Sequence, residues 1–159
     1  MMESTDSFSP LDSYDRKILA RLAQDGRQPV TALARAVGLS KSPCQMRVKR
    51  LQEKGYILGF RAILNPAKLG QDHISFTEVR LNDTRESALR AFNAAVIAVP
   101  EIEQCHMIAG SFDYLLKVRT RNIHAYRRIL GEVISKLPHV ASSSTHVSME
   151  AVKDSVFQG

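Results

Sequence analysis

The sequence predicts an α+β chain in two parts: an N-terminal winged helix-turn-helix followed by a C-terminal ferredoxin-like βαββαβ domain. Three observations carry that prediction. Two short helical patterns meet at a glycine within residues 30–54, the apolar spacing from residue 73 onward alternates between strand and helix, and the excess positive charge is confined to the first part. Residues 1–70 hold 12 Lys plus Arg against 6 Asp plus Glu, whereas residues 71–159 hold 10 of each, so the whole net charge of +6 lies with the helical motif. A basic patch of this kind is the electrostatic footprint of a nucleic-acid-binding face, although it does not by itself specify a base sequence.

Residues 1–10, rich in Ser and closed by Pro10, are expected to be a disordered tail. A first helix should start at Asp12, which can cap it with Asp15 in the first turn, and run to about Gln24 with Tyr14, Ile18, Leu19 and Leu22 inward. In the second, Leu33, Ala34 and Val37 form an apolar stripe, and Gly38 stands where the chain must swing into the next helix. That third helix has two possible starts: Ser40 as N-cap, or Ser42 as N-cap with Pro43 at the first helical position and Gln45 closing a capping box. Cys44, Val48 and Leu51 recur at i, i+4, i+7 and face the core, which leaves Gln45, Met46, Arg47, Lys49 and Arg50 on the sides or the outer face. With Ser40, Lys41 and Ser42 at the exposed N-terminus, this surface suits a major groove flanked by phosphates, and double-stranded DNA is the expected partner.

Residues 56–70, YILGFRAILNPAKLG, alternate apolar residues in short β-prone pieces broken by Gly59 and Asn65-Pro66, as a small wing and connector would. Arg61 and Lys68 in it could graze the phosphate backbone or simply solubilise the surface. The expected division is therefore a DNA-binding domain at 11–60, a connector at 61–72 and a ferredoxin-like domain at 73–155. In the last, HISFTEVRL is the first strand; Leu89, Phe92, Val96 and Val99 mark a helix from about Arg85; IEQCHMIAG and YLLKVRT are the next strands. Tyr126, Ile129, Leu130, Val133, Ile134 and Leu137 mark a second helix, and THVSMEAV the last strand. Apolar residues of the first strand occupy both phases, Ile74 and Phe76 one way and Val79 and Leu81 the other, so a sheet with helices on one face would leave apolar groups in water. A second copy would cover them, and a twofold dimer also supplies the paired recognition helices that successive major grooves require.

Length and composition allow one domain or two small ones, and the 44% hydrophobic content is ordinary for a globular chain. No apolar run is long enough to span a membrane, and the polar, acidic MMESTDSFSPLDS is unlike a signal peptide, so the expected location is cytoplasmic. Cys44 and Cys105 lack zinc-site pairing and read as small buried hydrophobes; His106 and His146 lie on strands as lone histidines. No metal and no cofactor are assigned. Without a nucleophile constellation, paired-carboxylate motif or Gly-rich phosphate loop, an enzyme is not expected.

The D-x-x-D-x-x-I-L opening at Asp12, the SKSPCQMRVKRL helix and the G-x-x-D-Y-L-L turn at Gly110 together resemble the leucine-responsive and asparagine-regulator family of feast/famine transcription regulators, over residues 11 to about 155. The resemblance implies a sequence-specific regulator, assembled from homodimers into octamers or related rings, whose C-terminal domain senses a small molecule, typically an amino acid. Within the family, SKSPCQMRVKRL, EIEQCHMIAGSFDYLLKVRTR and LPHVASSSTHV are most similar to the branch that activates proline dehydrogenase genes, which implies proline as effector. A genome-organising regulator with little effector response is the alternative of the same fold.

An amino acid's binder needs donors for a carboxylate and acceptors for an ammonium group, and the turn Ala109-Gly110-Ser111-Phe112-Asp113 offers both. By the resemblance, Gly110, Phe112, Asp113 and Tyr114 are the effector residues of this turn, with Ser144, Thr145 and Val147 joining from the last strand. Gly110 to Asp113 is equally a good hairpin connection, in which Asp113 braces the turn or an oligomer contact.

Overall fold

The computed structural model describes residues 11–154, and the expected N-terminal tail lies outside them. The chain divides into two compact units between Ile63 and Leu64.

In the first unit, α1 (Ser13–Gln24), α2 (Val30–Val37) and α3 (Lys41–Glu53) enclose a small core of Ile18, Leu33, Ala34, Val37, Cys44 and Leu51. Asp12 caps α1 and forms a capping box with Asp15. Tyr14, expected inward, is exposed, because the inward turn of α1 is taken by Asp15 and Ile18. Gly38 adopts φ 79°, a left-handed conformation that a Cβ would strain, while the Leu39 amide reaches back 2.9 Å to the Ala34 carbonyl and closes the end of α2. Of the two possible starts for α3, Ser40 is the N-cap position, though its side chain makes no capping hydrogen bond. Pro43 then occupies the third helical position, where its missing N–H is one of the four that have no intrahelical acceptor anyway.

The expected wing does not form as strands: residues 56–70 hold none, and Leu58 is 97% exposed. A strand needs a neighbour to take its amides and carbonyls, and among the described residues no segment pairs with this one.

The second unit is a four-stranded antiparallel sheet in the order β2-β3-β1-β4, built from β1 (His73–Leu81), β2 (Ile102–Met107), β3 (Tyr114–Thr120) and β4 (Val140–Val147). Helices α4 (Glu86–Ile97) and α5 (Ile123–Glu132) belong with one face, and Val79, Phe92, Val96, Tyr114, Leu116, Val118, Tyr126 and Ile134 fill the space between. Burying each of these large side chains is worth about 1.5–3 kcal/mol. The predicted second helix is interrupted: α5 stops at Glu132 and a short 3-10 turn (Ile134–Lys136) carries Ile134 and Leu137 to the core. β4 begins earlier than the predicted THVSMEAV and ends at Val147, so all three serines, Ser142 to Ser144, lie inside the strand and Met149 to Val152 beyond it. Its position follows from the antiparallel register with β1, which runs from Ser75 opposite Val147 to Leu81 opposite Val140.

The two phases of β1 are as the sequence implied. Ser75, Thr77, Val79 and Leu81 are buried toward the helices; Phe76, 36% exposed, and Glu78 face the other way. That open face also carries charge, since a bulge in β2 between Ile102 and Gln104 lets both Ile102 and Cys105 turn to the core and sends Glu103 to the opposite side. There Glu103 pairs with Arg119 and with Lys117, and Lys117 also meets Asp154 at 2.9 Å. No helix of the described residues is long and apolar enough to cross a membrane.

Candidate nucleic-acid interface and effector site

The outer face of α3 is built by default: once Cys44 and Leu51 are buried and Val48 half-buried, the helical period leaves Ser42, Gln45, Met46, Lys49 and Arg50 outward. Ser40 and Lys41 are exposed at its start, and Lys41 meets no carboxylate among the described residues. Lys49 is 77% exposed and only loosely paired, 3.7 Å from Glu53. Met46 is the most exposed apolar side chain of the helix.

Arg47, expected on the sides or the outer face, lies on the side of α3 that meets α1. Its guanidinium donates to Asp12 at 2.6 Å and to Asp15 at 2.8 Å, and lies over the Tyr14 ring, 5.4 Å from its centroid; the side chain is 25% exposed. Arg50 reaches the same Asp15 carboxylate through both oxygens, at 2.8 and 2.7 Å, but remains half-exposed. Asp15 itself is 2% exposed. Helix α3 is therefore clamped to α1 by two arginines that converge on one buried carboxylate, a role beyond the dipole-complementing one that the sequence suggests for Asp15. The D-x-x-D spacing opposite an R-x-x-R spacing is the signal in the sequence: both place like groups one helical turn apart. The Asp15 amide and the Arg47 guanidinium hold the Asp12 carboxyl below its usual range, and the same pairing raises the pKa of Arg47.

In the second unit, the hairpin between β2 and β3 is closed by the Ile108 amide donating to the Asp113 carbonyl at 2.8 Å. The Asp113 amide donates to the Val79 carbonyl at 2.9 Å, and its carboxylate accepts from the Leu81 amide at 2.7 Å, where the β1–β4 register shifts and leaves that amide in need of an acceptor. Asp113 is thus a brace on β1 through one of its oxygens. The amides of Ala109, Gly110, Ser111 and Phe112 donate to nothing among the described residues. Gly110 has ordinary backbone geometry, and a Cβ there would meet only Ile108, at 3.5 Å, so glycine serves access rather than conformation.

The remaining effector residues are not brought together in one protomer. Tyr114 is buried against Phe92, ring centroids 4.4 Å apart, on the helix side of the sheet. Thr145 faces Thr77 across the ladder and its hydroxyl bonds the Tyr126 hydroxyl, which also meets Thr77 at 2.9 Å. Ser144 lies opposite Glu78 on the open face, beside the 3.2 Å contact of His146 with Glu78, and Val147 is opposite Ser75 at the far end. The hairpin sits at the other end, next to Val79, whose partner on β4 is Ser143.

Two family models match the chain: the AsnC-type helix-turn-helix domain over residues 11–52 and the Lrp/AsnC ligand binding domain over residues 74–156. A proline dehydrogenase transcriptional activator of Rhizobium radiobacter is 60% identical over 153 residues, 96% of this chain and 98% of that protein. One of the same description from Rhodobacter capsulatus is 56% identical over 142 residues, 89% of this chain and 92% of its own. Among solved structures, a Neisseria meningitidis transcriptional regulator in complex with L-Met superposes with a TM-score of 0.86 at 28% identity, covering 91% of this chain and 94% of that one. With a helix-turn-helix whose outer face is basic, a four-stranded sheet bearing its helices on one side, and these matches across both units, the chain belongs to the Lrp/AsnC family of DNA-binding, amino-acid-responsive transcription regulators.

Proposed function

We propose that this protein is a proline-responsive activator of a proline dehydrogenase gene, working as homodimers assembled into an octamer. The observation that carries the reading is the likeness, over nearly the full chain, to two proteins described as proline dehydrogenase transcriptional activators. Ser40, Lys41, Ser42, Gln45, Met46, Lys49 and Arg50 read and position the DNA, while Arg47 holds the helix that presents them. Proline's carboxylate is received by the unpaired amides of residues 109–112, and its ammonium group by the Asp113 oxygen that Leu81 does not use. Ser144, exposed on the open face, would have to come from a second protomer to reach the same ligand, which ties effector binding to assembly. The open face with Phe76 is the surface on which two sheets would pair.

The test is a thermal-shift panel of the twenty amino acids on the wild type, Asp113→Ala and Phe112→Ala, each scored against its own ligand-free melting point, so that loss of the Leu81 brace is not mistaken for loss of binding. A ligand at a hundred times its dissociation constant adds about 2.7 kcal/mol. Stabilisation by proline alone, lost in both variants, is expected. No shift with any amino acid would overturn the sensor reading and favour an effector-insensitive regulator of the same fold; a shift retained in both variants would move the site away from the hairpin.

A further inference from the structure

Residues 71–159 carry no net charge, yet their charges are paired very unevenly. At α4 both arginines are neutralised, Arg90 by Glu86 at 2.8 Å and Arg85 by Asp83 at 2.6 Å. On the open face of the sheet, Lys117 and Arg119 are held by Glu103 and Asp154. At α5 the opposite holds. Arg121, Arg127, Arg128 and Lys136 are exposed, and none of them meets a carboxylate among the described residues. Glu132 is the one acid in residues 121–136, which leaves that segment at +3. Arg128 precedes Glu132 by four positions, the poorer orientation for a helical pair, and no ion pair forms between them.

The helical period turns this charge to one side. Tyr126, Ile129 and Leu130 pack on the sheet, so His124, Arg127, Arg128 and Gly131 fall on the outward stripe, where with Glu132 they line a shallow groove. Gly131 weakens the helix by roughly 0.5–1 kcal/mol relative to Ala, yet a Cβ there would meet nothing within 4 Å, so packing inside the chain does not require it. Its effect is to leave bare backbone beside two unpaired guanidinium groups.

We infer that the outer face of α5, centred on Arg127 and Arg128, is a second DNA contact that grips the backbone of duplex continuing beyond the site read by α3. The partner is fixed by charge: a cluster of unpaired cations costs self-repulsion that a polyanion relieves, guanidinium forks match phosphate oxygens in pairs, and DNA is the polyanion this family binds. A flat helix face has nothing to insert between base pairs, so this contact positions the duplex without specifying it.

The experiment compares the full chain with R127Q/R128Q, using an operator obtained by in vitro selection with the wild type. The operator is placed in a duplex that just covers it and in one extended on both sides by several helical turns of random sequence. For the extended duplex, the slope of log K against log salt should shrink by about 0.9 for each phosphate that is no longer neutralised, about 1.8 for each protomer whose α5 engages the duplex, while binding to the short duplex stays unchanged. R127K/R128K should keep most of the slope, and R90Q, which removes an already neutralised arginine from α4, should leave it as it was. An unchanged slope on the extended duplex with R127Q/R128Q overturns the inference. So does an equal loss on both duplexes accompanied by a change in assembly mass on light scattering, which would make α5 a subunit contact.

Discussion

Replacing Asp15 by Ala strands Arg50 and leaves Arg47 with Asp12 alone. Asp15 accepts three hydrogen bonds of 2.7 to 2.8 Å from Arg47 and Arg50, and is 2% exposed. Breaking a wholly buried pair costs 3–5 kcal/mol because a charge is left without solvent, about 3 at the least. Here Arg50, 47% exposed, loses its carboxylate, whereas Arg47, 25% exposed, keeps Asp12 at 2.6 Å, and both guanidinium groups recover water when Asp15 goes. The expected cost is therefore lower, about 2 kcal/mol, close to that of one or two charge-assisted hydrogen bonds. It should fall on the first unit alone, which makes site-resolved hydrogen exchange on the full chain the suitable assay. At 1.4 kcal/mol per factor of ten, exchange of the Ile18 and Leu51 amides should accelerate about thirtyfold, with the Leu116 amide in the sheet unaffected. Exchange at Ile18 and Leu51 within a factor of two of wild type would refute the clamp. Asp15→Asn extends the test to DNA: each freed guanidinium that reaches a phosphate should steepen the salt slope by about 0.9.

Lys49→Ala should reduce DNA affinity and lower the salt slope by about 0.9 for each protomer on the operator, while changing stability by less than about 0.5 kcal/mol, since its partner Glu53 is also exposed; Arg47→Ala should lose affinity and stability together. Equal melting behaviour of the two variants on chemical denaturation would contradict that distinction. Burial raises the thiol pKa of both Cys44 and Cys105. The fold therefore disfavours the thiolate: stability is unaffected while both states are protonated and declines as pH climbs past the unfolded thiol's value of about 8.5. Alkylation of Cys44 in the native chain should wait for unfolding of the first unit, and a rate matching that of an unfolded thiol would show the site to be open.

Much of this architecture is written in local pattern. A helix cap at Asp12, a left-handed glycine at Gly38 and the alternation along HISFTEVRL each depend on a few adjacent residues, and the structure places them where periodicity implies. β4 lies several residues from its expected position because VASSSTHV has few apolar side chains to mark its phase; its extent is decided by the hydrogen-bonding groups of β1 beside it. The wing is absent for the complementary reason, as β-prone residues without a neighbouring strand have nothing to pair with.

By itself, the sequence determined the two-part organisation, the helix that presents its polar face, the phases of the first strand and the charge asymmetry between the parts, since all of these follow from residue type and spacing along one chain. Only the tertiary structure decided that Arg47 faces Asp12 and Asp15 rather than solvent, that Asp113 accepts the Leu81 amide, that Tyr114 turns into the core, and that α4 is neutralised while α5 is not. These are choices of partner between groups distant in sequence, and a side chain that could serve either DNA or its own fold is assigned only when packing brings the competing group within hydrogen-bonding reach.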